Sequence, residues 1–251
     1  MSMRSLLKRF IERAAGVRII RGLPRGISPF EDIARAFPAF EIKIIFDVGA
    51  NVGQSATHYS SQFPAAQIIC FEPVAASFSS LQGCVSGRHN VTCRRLGLAD
   101  FVGTSVMSSE GTSQKNRLLV GGGGSGTPGV EVVDVTTLDT YCGEQGIDRI
   151  DFLKIDTEGA DLAVLKGAAR LLGSQAIAFI QVEAGMNPKN QLHVPLESFK
   201  EFLEQSDYFL FGIYEQVNEW PTRSPHLRRT NPIFVSSRLI ESVRGATARG
   251  S

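Results

Sequence analysis

The feature that most constrains this chain is an apolar strand that breaks directly into a glycine-bearing turn: Ile44-Ile45-Phe46-Asp47-Val48-Gly49-Ala50-Asn51-Val52-Gly53. A run without polar alternation suits a central parallel strand covered on both faces, because such a strand has no solvated side. The helical pattern that follows gives the two glycines their meaning. Gly49 and Gly53 let backbone approach a ligand with no Cβ in the way, Asn51 tolerates turn dihedrals, and the next helix start presents amides to an anion. The turn lacks the Gly-Lys-Ser/Thr ending of a P-loop and the third glycine of a dinucleotide fingerprint, which disfavours phosphate ligands. Glu72 follows at the end of the next apolar run, about 20 residues beyond the loop, where a carboxylate can accept hydrogen bonds from both ribose hydroxyls. Asp47, Gly49, Asn51, Gly53, Glu72 and Leu98 are therefore the cofactor-side candidates.

From residue 42 onward short apolar runs alternate with helical patterns, the mark of a parallel sheet with crossover helices. The pattern predicts strands over 42–48, 67–71, 91–98, 150–155 and 176–182, with a further strand over 130–135. Helices are expected over 54–62, 77–84, 161–172 and 196–205, another opens at 137–142, and residues 208–214 and 232–235 form a closing strand pair. Residues 121–129, Gly-Gly-Gly-Gly-Ser-Gly-Thr-Pro-Gly, read as a mobile loop, since glycine loses the most entropy on ordering. The polar stretch after Arg238 is expected to fray. The organisation expected is a basic amphipathic helical segment over 1–40, one domain over 41–240 and a flexible tail over 241–251.

A second cluster of ionisable groups, Lys154-Ile155-Asp156-Thr157-Glu158-Gly159-Ala160-Asp161, closes the 150–155 strand at the carboxyl end of the sheet, where open α/β folds bind ligands. The 176–182 strand ends likewise at Glu183, and strands about 4.8 Å apart put Asp156 and Glu183 across one crevice. Two such carboxylates suit a general base or a divalent cation such as magnesium. Asp156 otherwise reads as the N-cap of the 161–172 helix, Glu158 as a partner of that helix's dipole, and Lys154 as the ion-pair partner of a neighbouring carboxylate. His193 lies in a polar loop just beyond and can take a proton near neutrality. Asn187 in the same loop and Trp220, the only tryptophan, are acceptor-side candidates with Glu158. His58 and His89 read as surface residues.

These blocks, with Phe71-Glu72-Pro73, Thr137-Leu138-Asp139 and Val182-Glu183, together resemble the FkbM-type methyltransferases over roughly residues 42–240. The glycine-rich spacer, and Asp161 where glutamate is common, depart from that family's pattern. The resemblance implies a class I methyltransferase (Rossmann-like) α/β fold, a mostly parallel sheet with an antiparallel last strand and helices on both faces. It also implies S-adenosylmethionine as cofactor and O-methylation of a hydroxyl on a sugar or glycosylated, polyketide-type metabolite. On that chemistry Asp156, Glu183 and His193 are the catalytic candidates, with Asp156 and Glu183 the ligands if a metal is used. An NAD(P)-dependent oxidoreductase, which shares the topology and the ribose carboxylate, and a non-catalytic adenosyl-binding module are the competing readings.

The 26 basic and 25 acidic residues leave a net charge of +1, so no global field favours nucleic acid. The four cysteines form no CxxC pair and fit reduced thiols in a cytoplasmic protein. No apolar run approaches the roughly 18 residues of a membrane span. The basic segment 1–26 reads as a helix packed on its own domain or on a partner subunit, with membrane-surface contact as the lesser alternative. A small-molecule or glycan acceptor and a homo-oligomer complete the expectation.

Overall fold

The computed structural model describes residues 3–17, 22–108, 118–119, 130–190, 192–219 and 222–248. Two helices open the chain, α1 (Met3–Ala15) and α2 (Pro29–Ala36), the second capped by Ser28, whose Oγ accepts from the Glu31 amide. Then follow β1 (Ile44–Val48), α3 (Gln54–Gln62), β2 (Gln67–Phe71), α4 (Ala75–Cys84), β3 (Val91–Arg94), β4 (Gly97–Leu98), β5 (Gly103–Ser108), β6 (Leu118–Leu119) and β7 (Val130–Thr136). The second half runs α5 (Leu138–Gln145), β8 (Ile150–Ile155), α6 (Asp161–Lys166), α7 (Ala169–Gly173), β9 (Ile177–Val182), β10 (Ala184–Gly185), α8 (Leu196–Glu204), β11 (Tyr208–Glu219), β12 (Ser224–Ser236) and α9 (Ser237–Ala248).

The main sheet has the order β3-β2-β1-β8-β9-β12-β11. Strands β3, β2, β1, β8 and β9 pair in parallel, and β12 inserts antiparallel between β9 and β11. This is the class I methyltransferase arrangement. After a break at Glu183, β10 resumes along the same edge of β12. The strand order reverses between β1 and β8, and at that reversal the crossover connections diverge to opposite faces and leave a crevice above the carboxyl ends.

Alternate strand residues feed two cores. Phe46, Val48, Phe71, Leu153, Ile155 and Val182 point to the face covered by α5 to α8, whereas Ile45, Ile68, Cys70, Phe152 and Phe179 meet α2, α3 and α4. Phe30 of α2 packs edge-on against Tyr59 and Phe63 and tilted against Phe152, at centroid distances of 5.7, 4.8 and 4.9 Å. The packed unit therefore begins ahead of the boundary expected at residue 41.

Four elements depart from the sequence expectation, each for a local reason. The strand expected over 91–98 divides, because the chain leaves β2 after Arg94 and Gly97 pairs with Val135 in a second sheet, β4-β7-β5-β6. The helix expected over 161–172 breaks beyond Lys166: a Cβ on Gly167 would lie 2.0 Å from the Ala99 carbonyl oxygen, so the chain passes here without a side chain. The Asp139 carboxylate then accepts from the Arg170 and Leu171 amides at 2.7 and 3.1 Å, starting α7 with a cap donated from a distant helix. The closing pair extends well past the expected ends: β11 runs on to Glu219 and β12 already begins at Ser224. The stretch expected to fray after Arg238 is helical, with Leu239, Ile240 and Val243 packed against the core.

Candidate active site

A cleft of about 1500 Å³ opens over the carboxyl ends of β1, β2 and β8 and runs along β9 to the β11–β12 hairpin. Its floor is the loop after β1. The Gly49 and Ala50 amides both donate to the Phe71 carbonyl at 3.0 Å, and the Asp156 amide donates to the Val48 carbonyl at 3.0 Å. Gly49 has φ +78, and a Cβ there would lie 2.0 Å from the Asp156 carbonyl oxygen. Only glycine lets the loop lie between β2 and β8 this closely.

The Asn51 amide donates to Glu72 Oε2 at 3.0 Å, and the Val74 amide donates to Glu72 Oε1 at 3.0 Å. Burial pushes the Glu72 carboxyl above the usual glutamate range, although both amides pull it back. Each oxygen keeps a lone pair for a ligand. Asn51 Oδ1 is buried without a hydrogen bond on the same wall, and Gly49 and Leu98 line it with them. A polar acceptor pair beside apolar surface fits a nucleoside.

Two cofactor-side candidates do not line the cleft. Asp47 is fully buried beneath the loop and accepts from Lys154 Nζ at 3.2 Å, while Lys154 reaches Asp156 Oδ2 at 3.3 Å. Burial alone disfavours the lysine cation, yet the two carboxylates outweigh it and hold its pKa well above the ordinary value. Asp47 thus acts on the site through Lys154. Gly53, at φ +92, meets α4: its Cβ would lie 3.0 Å from Leu81 and 3.3 Å from the Cys84 Cβ.

Asp156 and Glu183 both line this one cleft, as the strand ends predict, and on the wall opposite Glu72 two further residues join Glu183. Glu158, Glu183 and His193 offer ligand-capable atoms that all lie within 4.8 Å of one another, whereas Asp156 is engaged by Lys154. The N-cap reading of Asp156 fails, since Ala160 occupies the cap of α6. His193 Nε2 lies 2.5 Å from Glu183 Oε2, Arg229 pairs with Glu183 Oε1, and the Asn190 amide group contacts His193 Nδ1. Burial lowers the His193 pKa, but Glu183, helped by Glu158, more than offsets it and the net shift is upward. Glu158 sits at φ +53. Burial, reinforced by Glu183 and Asp156, raises its carboxyl to about 7. The three residues have the donor set of a divalent cation site. Both Glu183 oxygens are already taken by His193 and Arg229, so a cation would have to displace one of them.

Asn187 lies outside the cleft wall: its Nδ2 donates to Glu219 Oε2 at 3.1 Å and sits 3.0 Å from His226 Nε2, tying its loop to the hairpin. Trp220 and the glycine-rich stretch 121–129 lie outside the described residues. His58, read as a surface residue, is exposed at the cleft edge. Arg229 and Asn231 also line the cleft, and of the two Asn231 has no counterpart among the candidates the sequence offers. They reach the cleft because β12 inserts beside β9, where the register of Ile233 on Gln181 continues to set Asn231 opposite Glu183. Nothing in their local sequence announces that neighbour.

The family model of the Methyltransferase FkbM domain matches residues 47–210. Methyltransferase sdnD of Sordaria araneosa is 30% identical over 156 residues, 49% of this chain and 59% of that protein. Hexuronic acid methyltransferase AglP of Haloferax volcanii is 26% identical over 158 residues, 61% of each. The match thus spans about three-fifths of the length of these two curated relatives. The N-terminal domain of EvdMO1, solved in the presence of SAH and D-fucose, is 14% identical, with a TM-score of 0.43 over 94% of this chain and 98% of that one.

Proposed function

The chain belongs to the FkbM methyltransferase family, and from that premise we propose that it transfers a methyl group from S-adenosylmethionine to a hydroxyl of a sugar or glycosylated, polyketide-type metabolite. The observation that carries the reading is the Glu158, Glu183 and His193 cluster, which shares one cleft with Glu72 and Asn51. Proton-handling groups and a nucleoside-sized acceptor wall on one cavity are what hydroxyl alkylation requires.

Bound S-adenosylmethionine would supply the electrophilic methyl group. Glu72 and Asn51 would hold its ribose, with Leu98 against the apolar part of the nucleoside. The lining also suits a cationic donor, because five carboxylates stand against Lys154, Arg228 and Arg229. Lys154 is spent on Asp47 and Asp156, and Arg228 on Glu219 at 2.9 Å. The surplus negative charge works against the pyrophosphate of a nicotinamide dinucleotide.

A sugar hydroxyl becomes a useful nucleophile only as its proton leaves. Glu158 is the base in this reading, since a carboxyl at about 7 is half ionised at neutral pH and gains strength as an acceptor from the shift. His193, with both ring nitrogens engaged and its pKa raised, orients and charges the wall rather than taking the proton. Lys154 fixes Asp156, and Arg229 fixes Glu183. The name of AglP, a hexuronic acid methyltransferase, agrees with a sugar-like acceptor. Calorimetry with S-adenosylhomocysteine tests the donor half, and no heat of binding at millimolar ligand would overturn it. Transfer of a labelled methyl group to a panel of hydroxylated sugars tests the acceptor half.

A further inference from the structure

The apolar face of the N-terminal helix packs on no hydrophobic core among the described residues. In α1, Leu6, Leu7, Phe10 and Ile11 recur on one face at the spacing of a core-facing helix, yet they are 56%, 59%, 71% and 40% exposed. None joins a hydrophobic core of the described residues, whereas Phe30, Ile33 and Phe37 of α2 and its flank are buried. Of the first sequence reading, a helix packed on its own domain or on a partner subunit, the packing on its own domain is not seen among the described residues.

Charge is segregated onto the same stretch. Seven of the 26 basic residues but one of the 25 acidic residues fall within positions 1–26, so that stretch carries +6 and the remaining 225 residues carry −5. On the polar face of α1 the single acid, Glu12, lies 3.7 Å from Lys8, and Arg9 and Arg13 form no ion pair among the described residues. A near-neutral chain thus holds a cationic, apolar-faced helix attached to an anionic body. An interior packing site would satisfy the Leu and Phe side chains but not the arginines, and a polyanion would do the reverse. The surface of an anionic bilayer supplies hydrocarbon and negative charge side by side to one helix lying in its plane. No helix among the described residues is long and apolar enough to cross a membrane, so the association would be peripheral.

We propose that α1 docks this protein onto anionic lipid membranes, with Leu6, Leu7, Phe10 and Ile11 in the acyl boundary and Arg9 and Arg13 against the headgroups. The net negative charge of the rest of the chain would keep the domain off that surface, leaving the helix as the contact.

Flotation of the full chain with vesicles tests this. Binding is expected to vesicles of phosphatidylcholine containing about one-third phosphatidylglycerol, weaker binding to phosphatidylcholine alone, and release as salt shortens the Debye length. Phe10→Asp should weaken partitioning by about ten- to a hundred-fold, and Arg9→Gln or Arg13→Gln by about five-fold each on the anionic vesicles only. All three positions are exposed, so thermal melts should be unchanged. Failure to float with anionic vesicles, or flotation indifferent to Phe10→Asp, would overturn the proposal. So would a chain that sediments as an oligomer, becomes monomeric with Phe10→Asp and ignores lipid, for then a second copy covers the helix.

Discussion

Replacement of Glu158 by glutamine probes the proposed chemistry most directly. The Glu158 carboxyl stands at about 7 because it is buried beside Glu183 and Asp156, with His193 opposing the shift. If this carboxylate takes the acceptor proton, its ionised fraction sets the rate: about one part in eleven at pH 6, half at pH 7 and ten parts in eleven at pH 8. Below neutrality kcat/KM should therefore fall nearly ten-fold per pH unit and level off above about pH 8. Glu158→Gln removes the group at nearly constant shape. It should lower kcat/KM by about 10²- to 10⁴-fold and abolish that limb, while leaving the affinity for S-adenosylhomocysteine unchanged. Neighbours give an internal control of opposite sign. Glu183 pushes the Glu158 carboxyl up and His193 pulls it down, so Glu183→Gln should move the inflection to lower pH and His193→Gln to higher pH. A ¹³C NMR titration of the Glu158 carboxyl measures the same inflection without any acceptor. An acidic limb that survives in Glu158→Gln, or an inflection that ignores both neighbours, refutes the assignment.

The remaining expectations concern the scaffold and the cation. Lys154→Met strands the buried Asp47 carboxylate and should cost about 3–5 kcal/mol in chemical denaturation; a loss under 1 kcal/mol would mean that the pair contributes little. Asp139→Ala removes the acceptor of the Arg170 and Leu171 amides and should cost about 1–2 kcal/mol, read in the same assay. Asp161 is held by burial at about 6, above its ordinary value of 3.8. Its folded pKa is raised, so its contribution to stability is fully present below about pH 4 and is lost as pH rises through 6. Asp161→Asn should accordingly match the parent at pH 4 and melt higher at pH 7.5; equal melting at both would contradict the burial argument. Finally, with both Glu183 oxygens already committed, methyl transfer should be unchanged in excess chelator, and its abolition with rescue by manganese would reassign the cluster as a metal centre.

How much of this could be read in advance followed from how strongly local sequence dictates structure. The buried parallel strands β1, β2, β8 and β9 announce themselves as uninterrupted apolar runs, and the turn at Gly49 is legible because so few residues tolerate its dihedral and its closeness to Asp156. Glu72 follows from position alone. The opposite wall resisted for two reasons. Glu158 lies at a positive φ just before Gly159, also at positive φ,, and side-chain direction there cannot be inferred from strand alternation, so Asp156 looked the better catalyst. Arg229 and Asn231 depend on β12 crossing to lie beside β9, a long-range pairing that the polar residues of the hairpin conceal. The second sheet was hidden in the same way, since β4 and β6 span two residues each. The tail after Arg238 misled because its few apolar residues, Leu239, Ile240 and Val243, fall at helical spacing in an otherwise polar stretch.

The insertion of β12 between β9 and β11 has a bearing on how such a protein can diversify. In the proposed reading the residues that would face the nucleoside come from β1, β2 and their loops in the main sheet and from β4 in the second sheet, and at Gly49 the close approach of Asp156 leaves little freedom to vary. Arg229, Asn231 and Glu215 come from the β11–β12 hairpin at the sheet's margin. Substitution, lengthening or exchange of that hairpin can therefore remodel what is methylated while the donor half stays intact, and it is the natural graft point for giving this scaffold a new acceptor.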